Sequence, residues 1–322
     1  CWGHQAYADN IAKADARVVS LLKGAGAVIL GKTNVPPDLA DWQSRNPVYG
    51  RTNNPHDAGR SPGGSSGGAA AAVASGMVAC DFGTDIGGSV RVPAHFCGIW
   101  GHKSSWGLVP LQGHVHPQLA GRDAHDGALG IAGPLARNAA DLRLLVELTR
   151  SVPLQASGKP LKDCRALLLL DHPSCPTDAA VRAPIEAAAA ELERAGMAID
   201  RASELVPDLA TEHAEYMRML NVAMARGMPG PGGKRASASD WFDMLDLQAR
   251  SENTWARLFA VYDFVLAPPA PVLAVEHSEG RVFDGPVMIN GTSQPGGSTL
   301  CWAGPATYPN LPSTVLPGRE TG

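Results

Sequence analysis

A chain of 322 residues is long enough to bury a large core, as one big domain or two ordinary ones. It is 44% hydrophobic and 18% charged, with a formal net charge of −4 and no Lys/Arg run, which excludes an electrostatic footprint for nucleic acid or for an anionic membrane surface. No apolar stretch approaches the length of a membrane-spanning helix and the first residues lack a signal-peptide pattern, so a cytoplasmic setting is expected.

The first periodic segment, residues 12–23, has apolar positions at helical spacing and stops at Gly24-Ala25-Gly26, which predicts an amphipathic helix. Residues 27–30 (AVIL) read as a short buried strand, and residues 32–62, broken by Pro36, Pro37, Pro47 and Pro55, as mainly loop. The small-residue run from Ala69 predicts a helix, residues 77–82 a strand with a glycine loop at its end, and residues 99–102 another strand. Residues 104–134 read as a long turn-rich connector and 138–150 as a second amphipathic helix. Then comes a strand at 165–171, a helix at 178–195 and a strand at 197–200, a β-α-β order that predicts parallel pairing. Residues 207–264 are mostly helical, broken by the Gly/Pro-rich run at 227–233. Tyr262 begins a last strand that stops at Pro268-Pro269, and the remainder reads as loop and short helix.

Six cysteines, Cys1, Cys80, Cys97, Cys164, Cys175 and Cys301, show neither a CxxC pair nor metal-like spacing and read as reduced, mostly buried thiols. His95, His102, His114, His116 and His125 fall in one region, but their spacing suits no helix-borne metal site, and a mixture of core and surface histidines is expected. Met217, Met219, Met224, Met228 and Met244 read as core gap-fillers before pocket lining. Trp42, Trp106, Trp241 and Trp302 are open between packing and an aromatic-binding site.

Chemistry concentrates in residues 59–101, where Ser65 stands in Gly63-Gly64-Ser65-Ser66-Gly67-Gly68 and Ser89 follows Gly87-Gly88. Glycines beside a serine let the backbone approach a ligand closely and leave successive N–H groups free to face an anion. The GxSxG pattern at 63–67 lacks the hydrophobic strand that leads into a nucleophile elbow. Ser20-Leu21-Leu22-Lys23 sits in a helix with no partner motif, and Asp81-Phe82-Gly83 lacks a nucleotide loop, so both are chance matches. Two glycine-serine clusters, the second flanked by Asp85 and Arg91, are hard to explain as packing alone.

This stretch resembles the amidase signature family, whose hallmark is GGSSGG followed by GTDxGGSxRxPAxxCGxxGxK. The chain carries Gly83-Thr84-Asp85-Ile86-Gly87-Gly88-Ser89-Val90-Arg91-Val92-Pro93-Ala94, then Cys97-Gly98 and Gly101-His102-Lys103. The likeness extends upstream through the segment ending Lys32-Thr33-Asn34 and, more loosely, downstream to Leu316-Pro317-Gly318. It implies an α/β fold, a large, mostly parallel mixed sheet with helices on both faces, in one domain spanning 1–322. Within it, 207–264 is the variable helical segment that lines the substrate pocket.

By position, the resemblance implies that Ser89 is the nucleophile and that Ser65, held by a cis peptide bond, passes protons between it and a lysine. The N–H groups of Ile86, Gly87, Gly88 and Ser89 match an oxyanion hole. Ser66, Thr84, Asp85 and Arg91 match supports of these loops, and Lys32 and Lys103 match structural lysines. The implied reaction is hydrolysis of a small carboxamide or anilide through an acyl-enzyme, with no cofactor, metal, nucleic acid or membrane. The catalytic lysine of the family has its place upstream of Cys1, and edge elements are missing at both termini, so a truncated piece is expected. Exposed edges favour aggregation or a partner chain, and a homodimer is among the expected states. Two rivals share the motifs: a glutaminase-type subunit of a tRNA-dependent amidotransferase, and a non-catalytic scaffold that has lost the lysine.

Overall fold

The computed structural model describes residues 1–119, 127–225, 228–229 and 234–318. In chain order it runs through α1 (Arg17–Gly24), β1 (Arg45–Asn46), β2 (Gly50–Arg51), α2 (Gly67–Ala74), β3 (Cys80–Asp85), α3 (Arg91–Phe96), β4 (Trp100–Lys103) and β5 (Ile131–Ala136). It continues with α4 (Ala139–Thr149), β6 (Arg165–Leu168), α5 (Ala179–Arg194), β7 (Ala198–Asp200), α6 (Leu209–Ala225), α7 (Ala238–Phe259) and β8 (Phe264–Leu266). The described chain ends through β9 (Pro286–Ile289), β10 (Thr292–Pro295), α8 (Gly304–Thr307) and β11 (Ser313–Val315).

The α/β class with mixed pairing stands as expected, but the strands are distributed differently from one large, mostly parallel sheet. A four-stranded sheet in the order β11-β4-β5-β3 is antiparallel throughout, while a three-stranded sheet β7-β6-β8 is parallel. The parallel sheet follows from the β6-α5-β7 crossover, whose helix is long enough to return the chain to the same edge. Its start is marked by Asp178, which accepts from the Ala180 N–H at 2.9 Å, just as Asn138 caps α4 by accepting from the Asp141 N–H at 2.8 Å.

Several expectations from local pattern are corrected. Residues 27–30 form no strand: Val28 and Leu30 are 82% and 76% exposed, and among the described residues nothing pairs with them. A short apolar run becomes a strand only where a neighbouring backbone takes its hydrogen bonds, and the run itself does not specify one. Conversely, the connector at 104–134 ends in β5, wholly buried between β3 and β4. Pro134 disguised it, because proline removes a ladder donor; the strand tolerates it since β4 pairs only with Leu135 and Ala136. The hairpin β9-β10 and strand β11 were likewise expected to be loop. The part of the connector at 120–126 and most of the Gly/Pro-rich break in the helical segment lie outside the described residues.

Pairing with β5 carries β3 to Asp85, which faces Ile131 across the ladder, so Gly83, Thr84 and Asp85 belong to the strand rather than to the loop after it. The largest core cluster, with Trp42, Tyr216, Met219, Trp302 and Tyr308, lies on one side of that loop. A second, built on Ala69, Ala70, Val73, Val90 and Ala94, lies behind it. Helix α2 is made of small residues because it packs close: a Cβ on Gly68 would overlap the Asn34 backbone, and one on Gly67 the Ser44 hydroxyl.

Helices α6 and α7 are joined by a buried polar contact in which Trp255 Nε1 donates to Glu212 Oε1 at 2.9 Å. Burial pushes the Glu212 carboxyl up from 4.5 to about 7, against the hydrogen bond from Trp255. Between those values the native chain keeps a proton that the unfolded chain has lost. The contribution is therefore complete below pH 4.5 and lost as pH rises through about 7, a swing of about 3 kcal/mol. Urea denaturation from pH 4.5 to 8 is expected to show this fall in wild type and a flatter profile in Glu212→Gln, whose amide keeps the Trp255 bond; parallel profiles would refute it.

Candidate active site

The first serine loop is held from beneath by hydroxyls. Ser61 Oγ donates to the Trp42 carbonyl at 2.7 Å and accepts from the Gly63 N–H at 3.0 Å. Ser44 Oγ lies 3.2 Å from the carbonyl oxygens of Gly63 and Ser65 and accepts from the Gly67 N–H at 3.0 Å. Gly63 has a φ of +85°, and a Cβ there would lie 2.6 Å from Pro93 Cα, so only glycine fits. The Gly64–Ser65 peptide bond is cis. Ser65 is 2% exposed.

The second loop folds around the buried carboxylate of Asp85. Its oxygens accept from the N–H groups of Gly88 (2.9 Å), Val90 (3.1 Å) and Arg91 (3.3 Å), and from Arg91 Nε (3.0 Å) and Nη2 (2.9 Å). Burial alone would raise the Asp85 pKa; the Arg91 guanidinium and the backbone donors outweigh it and hold the carboxyl at about 2. Arg91 is itself buried and reaches on to the Ala303 carbonyl (3.2 Å) and Thr307 Oγ1 (2.8 Å). Gly88 needs its φ of +87°, and a Cβ there would sit 2.8 Å from Val92 Cγ2.

The two loops meet where the Ser66 N–H donates to the Ser89 carbonyl at 3.1 Å. Ser65, Thr84, Asp85, Ile86 and Ser89 then line one cleft of about 260 Å³ whose walls include Trp2, Leu111, Leu129, Ile131, Met224 and Trp241. Ser66 stands just behind, its hydroxyl occupying the space that a Cβ on Gly83 would need. Lys103 is fully buried, donating to the carbonyls of Ser104 (3.2 Å) and Leu311 (2.8 Å), and burial together with the neighbouring Arg91 lowers it to about 7. Lys32 is exposed, and neither lysine lines the cleft.

Sequence pattern does not reveal two further contacts on this loop. Tyr216 Oη donates to the Ile86 carbonyl at 2.8 Å, and Trp42 Nε1 to the Gly87 carbonyl at 3.0 Å. Their only advance signal is that both are aromatics with a polar tip, which seeks a partner when buried. Of the other tryptophans, Trp241 reaches the cleft, Trp302 is buried with Nε1 on Thr177 Oγ1 at 3.1 Å, and Trp106 is 40% exposed. Met219 and Met244 fill the core, Met217 packs against it, Met224 faces the cleft and Met228 is exposed.

Of the five histidines, His95 and His102 are half-buried, bonding the Val272 carbonyl (3.0 Å) and the Thr314 hydroxyl (2.9 Å), while His125 lies outside the described residues. His114 stacks on Trp2 at the cleft. His116 joins His4 on one oxygen of Asp38, at 3.2 and 2.7 Å, a grouping with the donor set of a metal site. However, the Gln118 N–H donates to His116 Nδ1 at 3.2 Å, which leaves the neutral ring's proton on Nε2, aimed at Asp38. The trio thus works as a hydrogen-bonded clasp between the first residues and the loop at 36–40.

Removing one partner of a buried ion pair strands the other charge, at about 3–5 kcal/mol. Arg91→Met is therefore expected to lower unfolding free energy by that amount, while Arg150→Met, which breaks an exposed pair with Glu147, changes it by less than about 1 kcal/mol. Equal losses in chemical denaturation would refute the assignment.

A model of the amidase family matches residues 1–227. The chain is 47% identical over 137 residues to the A-subunit of the glutamyl-tRNA(Gln) amidotransferase of Chromohalobacter salexigens, covering 42% of this chain and 26% of that protein. It is 43% identical over 145 residues to the putative amidase AmiB2 of Mycobacterium tuberculosis, covering 44% of this chain and 29% of that one. The matched stretches thus span between a quarter and a third of these curated relatives. In fold, it superposes on a bacterial aryl acylamidase with a TM-score of 0.78, at 22% identity over 95% of this chain and 69% of that one. With the two serine loops joined on one cleft and the family match running over most of its length, the chain belongs to the amidase family, the amidase signature enzymes.

Proposed function

We propose that the protein hydrolyses the amide bond of a small linear carboxamide or anilide through a serine acyl-enzyme, with Ser89 as nucleophile and Ser65 as proton relay. The observation that carries this reading is that both serines, from separate glycine loops tied by the Ser66–Ser89 backbone bond, open on the same cleft. Ser89 Oγ attacks the carbonyl carbon as its proton passes to Ser65, whose own proton moves on to the base of the relay. The N–H groups of Ile86, Gly87 and Ser89 are the donors for the oxyanion. The Gly88 N–H, directed at Asp85 Oδ1, holds the loop instead. Collapse breaks the C–N bond, the departing amine takes a proton through Ser65, and water then cleaves the acyl ester to release the acid and restore Ser89.

The resemblance places the base, a lysine, upstream of Cys1, and no lysine is among the described residues lining the cleft. The test is therefore made on the full-length gene product. The largely apolar cleft walls favour a neutral apolar acyl group. The six cysteines, all free thiols, suit a reducing cytoplasm, where the enzyme acts alone or as a homodimer. The likeness to an amidotransferase component supports a second reading, a glutaminase-type subunit, which predicts glutamine turnover only within a complex with partner chains.

A fluorophosphonate probe is expected to label wild-type protein at Ser89 and to leave Ser89→Ala unlabelled. Ser65→Ala is expected to lower kcat by about 10²–10⁴, as loss of a proton-transfer group does. A wild-type protein that neither takes the probe nor turns over amides is a scaffold, and the proposal fails.

A further inference from the structure

The loop at 86–89 combines two properties that pull against each other. An oxyanion site needs N–H groups already aimed at the developing charge. Yet Gly87 and Gly88 have the least steric means of keeping a peptide plane in place, since glycine accepts most backbone angles. A Cβ on Gly87 would meet nothing nearer than Leu300 Cδ2 at 3.5 Å and Tyr216 Oη at 3.7 Å, so packing alone does not hold that residue.

A trans peptide unit is planar, with its N–H and C=O pointing in opposite directions. Whatever grips the carbonyl of one residue therefore aims the N–H of the next. Tyr216 Oη grips the Ile86 carbonyl at 2.8 Å and so turns the Gly87 N–H the other way; among the described residues that N–H has no acceptor. Trp42 Nε1 grips the Gly87 carbonyl at 3.0 Å, and the opposite end of the same peptide unit is held by Asp85 through the Gly88 N–H at 2.9 Å. Both donors are packed into the core: Tyr216 is wholly buried and Trp42 is 1% exposed. Tyr216 rests against Gly304, where a Cβ would come within 3.1 Å of its ring, and Trp42 against Phe96 and Phe283. Burial also pushes the Tyr216 hydroxyl well above its ordinary pKa, so it remains a donor across the working range.

We propose that Tyr216 is a positioning residue, a buried aromatic donor that sets the orientation of the Ile86–Gly87 peptide and thereby preorganises the oxyanion site, while Trp42 braces the Gly87–Gly88 peptide beside it. The idea rests on the function proposed above and extends it to Tyr216 of helix α6, which acts on the reaction through the loop backbone.

The test uses the full-length product and Tyr216→Phe, which removes one oxygen from a filled site. Losing an oxyanion donor outright costs about 10²–10³ in kcat, and letting it wander is expected to cost about tenfold or more, with KM within about twofold of wild type. Affinity for a boronic acid that forms a tetrahedral adduct with Ser89 should fall in step with kcat. The control is Tyr262→Phe, which breaks a comparable 2.8 Å hydroxyl bond, to Asp200, and is expected to leave kcat unchanged. Unchanged kcat and boronate affinity in Tyr216→Phe, or an equal loss in Tyr262→Phe, would overturn the proposal. A readout independent of catalysis is the crystal structure of Tyr216→Phe, expected to show the Ile86–Gly87 peptide rotated or split between two orientations. A single unchanged orientation overturns the positioning role even if the protein hydrolyses amides, whereas an inactive, unlabelled wild type overturns the function itself.

Discussion

The negative charge of Asp85 is what the candidate site is built around. A carboxylate with no exposed side-chain surface is tolerable only if nearly all its lone pairs are used, because an unpaired buried charge is among the costliest things a fold can contain. Here the chain meets that demand locally, by turning residues 88–91 back on the side chain that ends β3. The turn that satisfies the charge is also the turn that presents Ser89. Loop geometry and charge neutralisation are one event.

The same ion pair fixes the loop relative to distant parts of the chain. Arg91 has donors to spare after its two bonds to Asp85, and it uses them on Ala303 and Thr307, residues that enter more than two hundred positions later. Tyr216 and Trp42 add ties from α6 and from the loop before the first serine cluster. A glycine-rich segment, which would be mobile in isolation, is thus bound on several sides by groups that cannot move without disturbing the largest core cluster. The small residues of α2 serve the same end, letting backbone approach backbone where side chains would hold the two loops apart.

Some of this is legible in the residues themselves. The serine loops stand out because close backbone approach can be met only by glycine, which leaves a mark at Gly63, Gly64 and Gly88. Helices α4 and α5 can be bounded closely, because their caps, Asn138 and Asp178, act on neighbours in sequence. The departures share a cause. Strand β5 is hidden by Pro134, and residues 27–30 carry the pattern of a buried strand without forming one, since in both places the outcome depends on which backbone lies alongside. Tyr216 gives no sign of its contact with Ile86, which joins residues 130 positions apart.

The sequence by itself therefore determined the chemistry on offer: two serines in glycine loops, an acid and a base flanking the second, and helices whose ends are written in their caps. Those features are local, set by backbone conformation and by neighbours a few residues away. Only the tertiary structure decided which strands pair, that Asp85 and Arg91 close on each other away from water, and that aromatic donors from α6 and the loop before residue 44 grip the loop carbonyls. Hydrogen bonds and burial are satisfied by whatever comes near in space, and the order of residues along the chain does not record that proximity.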